Sequence, residues 1–122
     1  MAGHDPLATV THMEIQKVGS FLEWKGFLKT YRVPAGPNTK FGYSSVNKLI
    51  YVADTIDGEL EISVYDTKAF LLDARTYSYK ILDIIEKDGS VYMHYINRKT
   101  GEKLSGMFAR SAGLTSISEL KD

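Results

Sequence analysis

Apolar and polar residues alternate with a period of two through much of the second half of the chain, the signature of half-buried strands. In Ser90 to Ile96, Val91, Met93 and Tyr95 point one way, and Tyr92, His94 and Ile96 the other. Lys48 to Thr55 and Glu59 to Tyr65 are rich in β-branched and aromatic residues, with Asp57-Gly58 between them. Aspartate followed by glycine favours a type I′ turn, which needs positive φ at both central residues. The same punctuation recurs at Asp88-Gly89, between Tyr79–Glu86 and Ser90–Ile96, and at Thr100-Gly101 before Lys103 to Ala109. Three short turns joining apolar runs predict an antiparallel meander of at least five strands. Ile81, Leu82, Ile84 and Ile85 are apolar on both faces, as expected of a central strand covered on both sides.

The first half is less regular. Asp5 can cap a helix and Pro6 suits its first position. Leu7, Val10, Glu14 and Val18 then share one face, and Gly19 is placed to end the helix. The β-branched Thr9, Val10 and Thr11 oppose that reading, and residues 1–13 read equally as a flexible arm or a leader segment. Ser20 to Val33 is ambiguous. Ser20 and Glu23 match a capping box, with Phe21, Trp24, Phe27, Leu28 and Tyr31 at helical spacing, yet Gly26 weakens a helix and Phe27 to Val33 also reads as a strand. The strand is the preferred reading. Pro34 to Thr39 is a loop on any reading, and Ser116 to Leu120 suits a short closing turn. The expected fold is α+β and mostly β, an antiparallel meander forming a small bent barrel. An N-terminal helix or arm spans residues 1–19, and one β-rich domain spans residues 20–122.

Composition narrows the field of functions. At 122 residues the chain is one domain by length, large enough to bury a core without staples. It has no cysteine, hence no disulfide framework and no thiol chemistry. No apolar run approaches the ~20 residues needed to cross a bilayer, and no signal-peptide pattern opens the chain, so a cytoplasmic or nuclear location is expected. Fifteen basic residues balance fifteen acidic ones, which argues against strong non-specific nucleic-acid binding. The balance is uneven along the chain. Between Glu14 and Lys48 six basic residues meet two acidic ones, whereas Asp54 to Asp66 holds five acidic residues and no basic one. The ordinary reading of both is a solvated face.

Catalytic chemistry finds little support. His4 and His12 are not in a metal-ligand pattern, and His94 sits mid-strand, able to act as a general acid only with a carboxylate from a neighbouring strand. Asp54, Asp57, Glu59 and Glu61 lack calcium-loop spacing. There is no nucleophile elbow and no phosphate loop. No catalytic residue, metal ligand or cofactor is therefore assigned, and the enzyme question leans towards no. The eight tyrosines are more suggestive. Tyr77, Tyr79, Tyr92 and Tyr95 fall on two adjacent strands, either as cross-strand packing pairs or as an aromatic face for a cation or a stacked base.

Residues 73–97 carry one family resemblance. Tyr77 with Lys80-Ile81-Leu82, a turn, and Tyr92-Met93-His94-Tyr95 resemble the core of chromo-barrel (Tudor-knot) modules. After that strand the family continues through an aromatic and an Asp-Glu-Trp-like signature, where this chain has Asn97 to Lys103. The resemblance implies a bent five-stranded barrel that reads methylated lysine or nucleic acid, with Tyr77 and Tyr95 as cage walls. The candidate ligand-binding residues are Tyr77, Tyr79, Tyr92, His94, Tyr95, Arg98 and Lys99, with Lys103 on the rim. The leading expectation is a non-enzymatic interaction module for a protein or peptide tail, with nucleic acid a weaker partner and no membrane contact. The alternatives are a calycin-like barrel carrying an apolar small molecule, and a structural or inhibitory subunit that meets a basic partner through the acidic hairpin 54–66.

Overall fold

The computed structural model describes residues 13–109 and the strand at 116–120, and among these residues there is no helix. Among the described residues eleven strands form three antiparallel sheets. The N-terminal sheet holds β1 (Gln16–Val18), β2 (Phe21–Lys25) and β3 (Thr30–Pro34). The middle sheet holds β4 (Lys40–Ser44), β5 (Leu49–Ile56), β6 (Glu59–Asp66) and β7 (Leu71–Tyr77). The C-terminal sheet holds β8 (Tyr79–Lys87), β9 (Ser90–Asn97), β10 (Lys103–Ala109) and β11 (Ser116–Leu120). In every sheet the strands lie side by side in chain order, and no sheet closes into a barrel.

Gln16–Val18 pairs with β2 as a strand instead of ending a helix, and Gly19, at φ 59°, turns the chain between them. Residues 13–15 form no helix, with Met13 and Ile15 packed against a core that includes Leu22 and Trp24 of β2 and Val33 of β3, and residues 1–12 lie outside the described residues. Ser20 and Glu23 do not cap a helix either, because the following residues form the β2–β3 hairpin. Its turn spans Gly26 to Lys29, so the strand expected from Phe27 begins only at Thr30. Ser116–Leu120 adds a strand against β10, not a closing turn. The five meander strands all form, but a strand the alternation did not reveal, β7, ends the middle sheet. The chain then turns a corner at Ser78, and β8 opens the next sheet. Strands that change sheets at such bends are how stacked sheets make corners.

The middle sheet is covered on both faces. Leu49, Tyr51 and Ala53 of β5 join Leu60, Ile62 and Val64 of β6 in a core with Val91, Met93, Tyr95 and Phe108 of the C-terminal sheet. The alternate residues Ile50 and Val52, with Tyr43 of β4, form a second core with Leu22, Trp24 and Val33 of the N-terminal sheet. The period of two therefore feeds one strand into two separate cores. The indole N–H of Trp24 donates to the Thr67 carbonyl at 2.8 Å, which ties the N-terminal sheet to the β6–β7 turn.

The strand expected to be covered on both sides, Tyr79 to Glu86, is instead the edge of the C-terminal sheet. Its pairing with β9 skips from Ile81↔Tyr95 to Asp83↔His94, so Leu82 is a bulged residue. A bulge reverses the side-chain parity beyond it. Tyr79 and Ile81 face the core, and after the bulge Ile84 does. Leu82 and Ile85 are left 39% and 37% exposed. β8 also approaches β4, β5 and β6, so it crosses those strands instead of running along one of them. The crossing is close at Gly42, where a Cβ would stand 2.8 Å from Ile84 Cγ2 and 3.0 Å from Val91 Cγ1. The Gly89 carbonyl accepts hydrogen bonds from Ser44 Oγ at 2.9 Å and Val46 N–H at 3.1 Å, joining the β4–β5 and β8–β9 turns.

Candidate functional site

The outer face of the C-terminal sheet is built from three cross-strand rows set by the β8–β9–β10 register. The first is Ile85–Tyr92–Met107, the second Asp83–His94–Ser105, and the third Lys80–Ile96–Lys103. Directly opposed residues in an antiparallel sheet hold their Cβ atoms ~4.5–5.5 Å apart, so each row is a contiguous strip. The face thus grades from apolar and aromatic, through polar, to an isoleucine between two lysines. Tyr92, His94, Ile96, Ser105 and Met107 are half-buried by their neighbours. Arg98 and Lys99 continue the basic end in the β9–β10 turn. There the Asn97 carboxamide oxygen accepts from Lys99 N–H at 2.9 Å, and Gly101 N–H donates to the Asn97 carbonyl at 2.7 Å. Arg98 is anchored by its backbone N–H to the Ser78 carbonyl at 3.0 Å and by Nε to the Tyr79 carbonyl at 3.3 Å.

The tyrosines expected to share one surface divide between two. Tyr92 lies on the outer face with His94. Tyr95 lies on the inner face, only 1% exposed, inside the core between the middle and C-terminal sheets. Tyr77 and Tyr79 pack against that same core from the corner. Their rings stack with centroids 5.2 Å apart, and Tyr79 meets Tyr95 at 4.4 Å. Burial, foremost, raises the Tyr77 hydroxyl above its ordinary range, with Arg75 opposing the shift. Three of the seven candidates thus belong to a packed tyrosine stack, and Tyr92, His94, Arg98 and Lys99 remain on or beside the outer face.

A carboxylate does approach His94 from the neighbouring strand in register, since Asp83 opposes it on β8. Asp83 Oδ1, however, accepts from its neighbour Ile84 N–H at 2.9 Å. The ion pairs between described residues are Arg32–Glu23 and Arg75–Asp73, and neither involves His94. On its other side His94 Nδ1 lies 2.8 Å from Ser105 Oγ, a hydrogen bond within the row. Among the described residues no carboxylate is paired to the ring, so the row offers donors and acceptors to a bound group but no assembled nucleophile. No group of three or more ligating side chains among the described residues could hold a metal ion. His4 and His12 lie outside those residues.

Beside the basic end, Asn38, Thr39, Lys40, Thr55, Lys80, Ile81 and Arg98 line an open groove of about 440 Å³. On the acidic hairpin, Asp57 and Glu59 are exposed, whereas Asp54 accepts a hydrogen bond from Thr39 Oγ1 and faces Glu61 across the β5–β6 pair. Tyr65 is raised above its ordinary range by burial first and by Asp54 and Glu61 next.

Sequence reasoning missed Leu82, Ile85, Ser105 and Met107. Ser105 and Met107 were available from alternation once the β9–β10 turn was placed. Leu82 and Ile85 were not, because the bulge breaks the parity that alternation relies on. No protein-family model, curated protein or solved structure significantly matches the chain, so the site is read from its geometry alone.

Proposed function

We propose that this protein is a non-enzymatic interaction module that receives a protein segment on the outer face of the C-terminal sheet. The observation that supports this is the contrast between sheets. The middle sheet is covered on both sides, while the C-terminal sheet offers Leu82, Ile85, Tyr92, Ile96 and Met107 on a face that packs into neither core cluster. A graded face also orients a partner. An apolar side chain fits the Ile85–Tyr92–Met107 row, and an acidic group fits the end made by Lys80, Lys103, Arg98 and Lys99.

The segments that carry the chromo-barrel resemblance, Lys80-Ile81-Leu82 and Tyr92-Met93-His94-Tyr95, lie on the paired strands β8 and β9. The methyl-lysine cage it implies needs Tyr77 and Tyr95 on one open surface, and Tyr95 is in the core. A peptide with an apolar and an acidic residue therefore fits better than a methylated lysine. The carrier reading asks for an enclosed interior, whereas the space between the middle and C-terminal sheets is filled by side chains such as Tyr51, Met93 and Phe108. The acidic-hairpin reading rests on Asp57 and Glu59, exposed around a tight turn.

The test is an amide NMR titration of the labelled protein with three probes in turn: a peptide alternating phenylalanine and aspartate, a trimethyl-lysine peptide and a short oligonucleotide. Saturable shifts at Tyr92, His94, Ile96 and Met107 with the first peptide are expected, and L82S/I85S should remove them while leaving the remaining spectrum in place. Shifts confined to other surfaces, or to the acidic hairpin, would overturn the proposal.

A further inference from the structure

The turn between β2 and β3 presents two large apolar residues in succession, neither in a core cluster of the described residues. Phe27 is 97% exposed and Leu28 86%. Scattered apolar surface residues are ordinary, but an adjacent phenylalanine and leucine at a hairpin tip form a wedge. The tip is held firmly from below. Gly26 N–H donates to the Lys29 carbonyl at 2.8 Å, and a Cβ on Gly26 would run into the Tyr31 ring. Tyr31 stacks on buried Trp24 with centroids 6.1 Å apart, and the Lys29 ammonium lies 4.9 Å from the Tyr31 ring centroid.

Charge identifies what the wedge meets. Lys25 and Lys29 flank it, both exposed, within the segment where six basic residues meet two acidic ones. Glu23, one of those two, pairs with Arg32 at 3.4 Å, and neither lysine makes an ion pair with a described residue. We propose that the β2–β3 tip docks the protein on an anionic lipid surface. Phe27 and Leu28 enter the boundary between headgroups and acyl chains, and Lys25 and Lys29 meet the anionic headgroups. An apolar wedge with a basic collar is the combination that holds a segment at a bilayer interface. The tip projects outward, whereas a protein pocket would need a matching concavity, and a fluid interface needs none. Insertion of two side chains keeps the turn's amides in the hydrated headgroup layer, where they do not have to bond within the chain. The expectation of no membrane contact rested on the lack of a spanning segment, which does not bear on surface docking.

The experiment is sedimentation of the full chain with phosphatidylcholine vesicles, with and without phosphatidylserine. The native protein is expected to pellet with the phosphatidylserine vesicles. F27S/L28S should lower the partition coefficient about tenfold or more, and K25E/K29E should remove both the preference for phosphatidylserine and the salt sensitivity of binding. These positions are exposed, so both variants should keep the native circular dichroism. In F27W, tryptophan emission should shift to the blue on adding vesicles. A native chain that stays in the supernatant with both vesicle types would overturn the proposal, and is the result expected of a tip that fits a protein pocket. So would an F27S/L28S variant that pellets as the native protein does.

Discussion

β5 and β8 look alike in sequence and end in opposite situations. Leu49-Ile50-Tyr51-Val52-Ala53 and Ile81-Leu82-Asp83-Ile84-Ile85 are both short runs with apolar residues of either parity. The first is buried throughout because two sheets stack on it, one on each side. The second lies at a sheet edge, and one bulge puts Ile81 and Ile84 on the inner face and Leu82 and Ile85 on the outer. Two-sided apolarity therefore marks either a strand between layers or a strand whose register slips. What separates them is the polar residue inside the run. Asp83 interrupts β8 beside the bulge, while β5 reaches Asp54 only after five buried residues.

The contrast can be broken most sharply at Tyr51 of β5 and at Tyr92 of β9, which opposes Ile85 of β8 on the outer face. Tyr51 is fully buried and stacks on Phe108 with centroids 4.4 Å apart. Tyr51→Ala should cost about 3–5 kcal/mol of stability, the range for deleting a buried aromatic. Tyr92→Ala, on the outer face, should cost under about 1 kcal/mol. Urea denaturation of the two variants measures the difference, and equal costs would mean that the outer face is packed after all.

A smaller effect tests how closely the middle and C-terminal sheets approach at the β4–β8 crossing. Gly42→Ala places a methyl against Ile84 and Val91, and overpacking of this kind costs about 1–3 kcal/mol. A second substitution, Ile84→Ala, should recover part of that loss by making room. If G42A unfolds at the native denaturant midpoint, the two backbones do not meet as described.

The smallest effect is a pH dependence. Tyr65 has a folded-state pKa above its ordinary 10.0, raised by burial, Asp54 and Glu61. Below that value the ring is neutral in both states and its contribution is fully present. As pH rises past it, the unfolded chain ionises first, and stability is lost up to and through the raised folded value. Tyr65→Phe should therefore lose less stability than the native protein between neutral pH and the alkaline range above 10.0, compared by denaturant midpoints at each pH.

Much of the strand pattern was legible, for identifiable reasons. Asp57-Gly58 and Asp88-Gly89 adopt the paired positive φ that a type I′ turn demands, at 52° and 81° and at 53° and 79°. The alternation in Ser90 to Ile96 places Val91, Met93 and Tyr95 inside, with Tyr92, His94 and Ile96 outside. Other features were hidden. Phe21, Trp24, Phe27, Leu28 and Tyr31 fall at helical spacing by coincidence, since Phe21 and Trp24 lie on β2, Phe27 and Leu28 sit in the hairpin turn, and Tyr31 lies on β3. Leu71 to Tyr77 carries Asp73, Arg75 and Thr76 and reads as polar because it is an exposed edge strand. Only half of the candidate site could be read, because local composition shows that tyrosines cluster but not that three of them stack inward around the Ser78 corner.

The chain-order arrangement of all three sheets has a kinetic consequence. Every strand pair joins neighbours in the chain, so each sheet can zip from its own turns without first closing a long loop. Chains dominated by such short-range pairings fold faster than all-β proteins built from distant strands. What remains is to stack three locally formed sheets. Beside the two shared cores, the Ser78 corner, the Trp24–Thr67 hydrogen bond and the Gly89 carbonyl are junctions that link them to one another. We therefore expect substitutions at those junctions to slow folding, while substitutions on the outer rows mainly change how fast the native state opens.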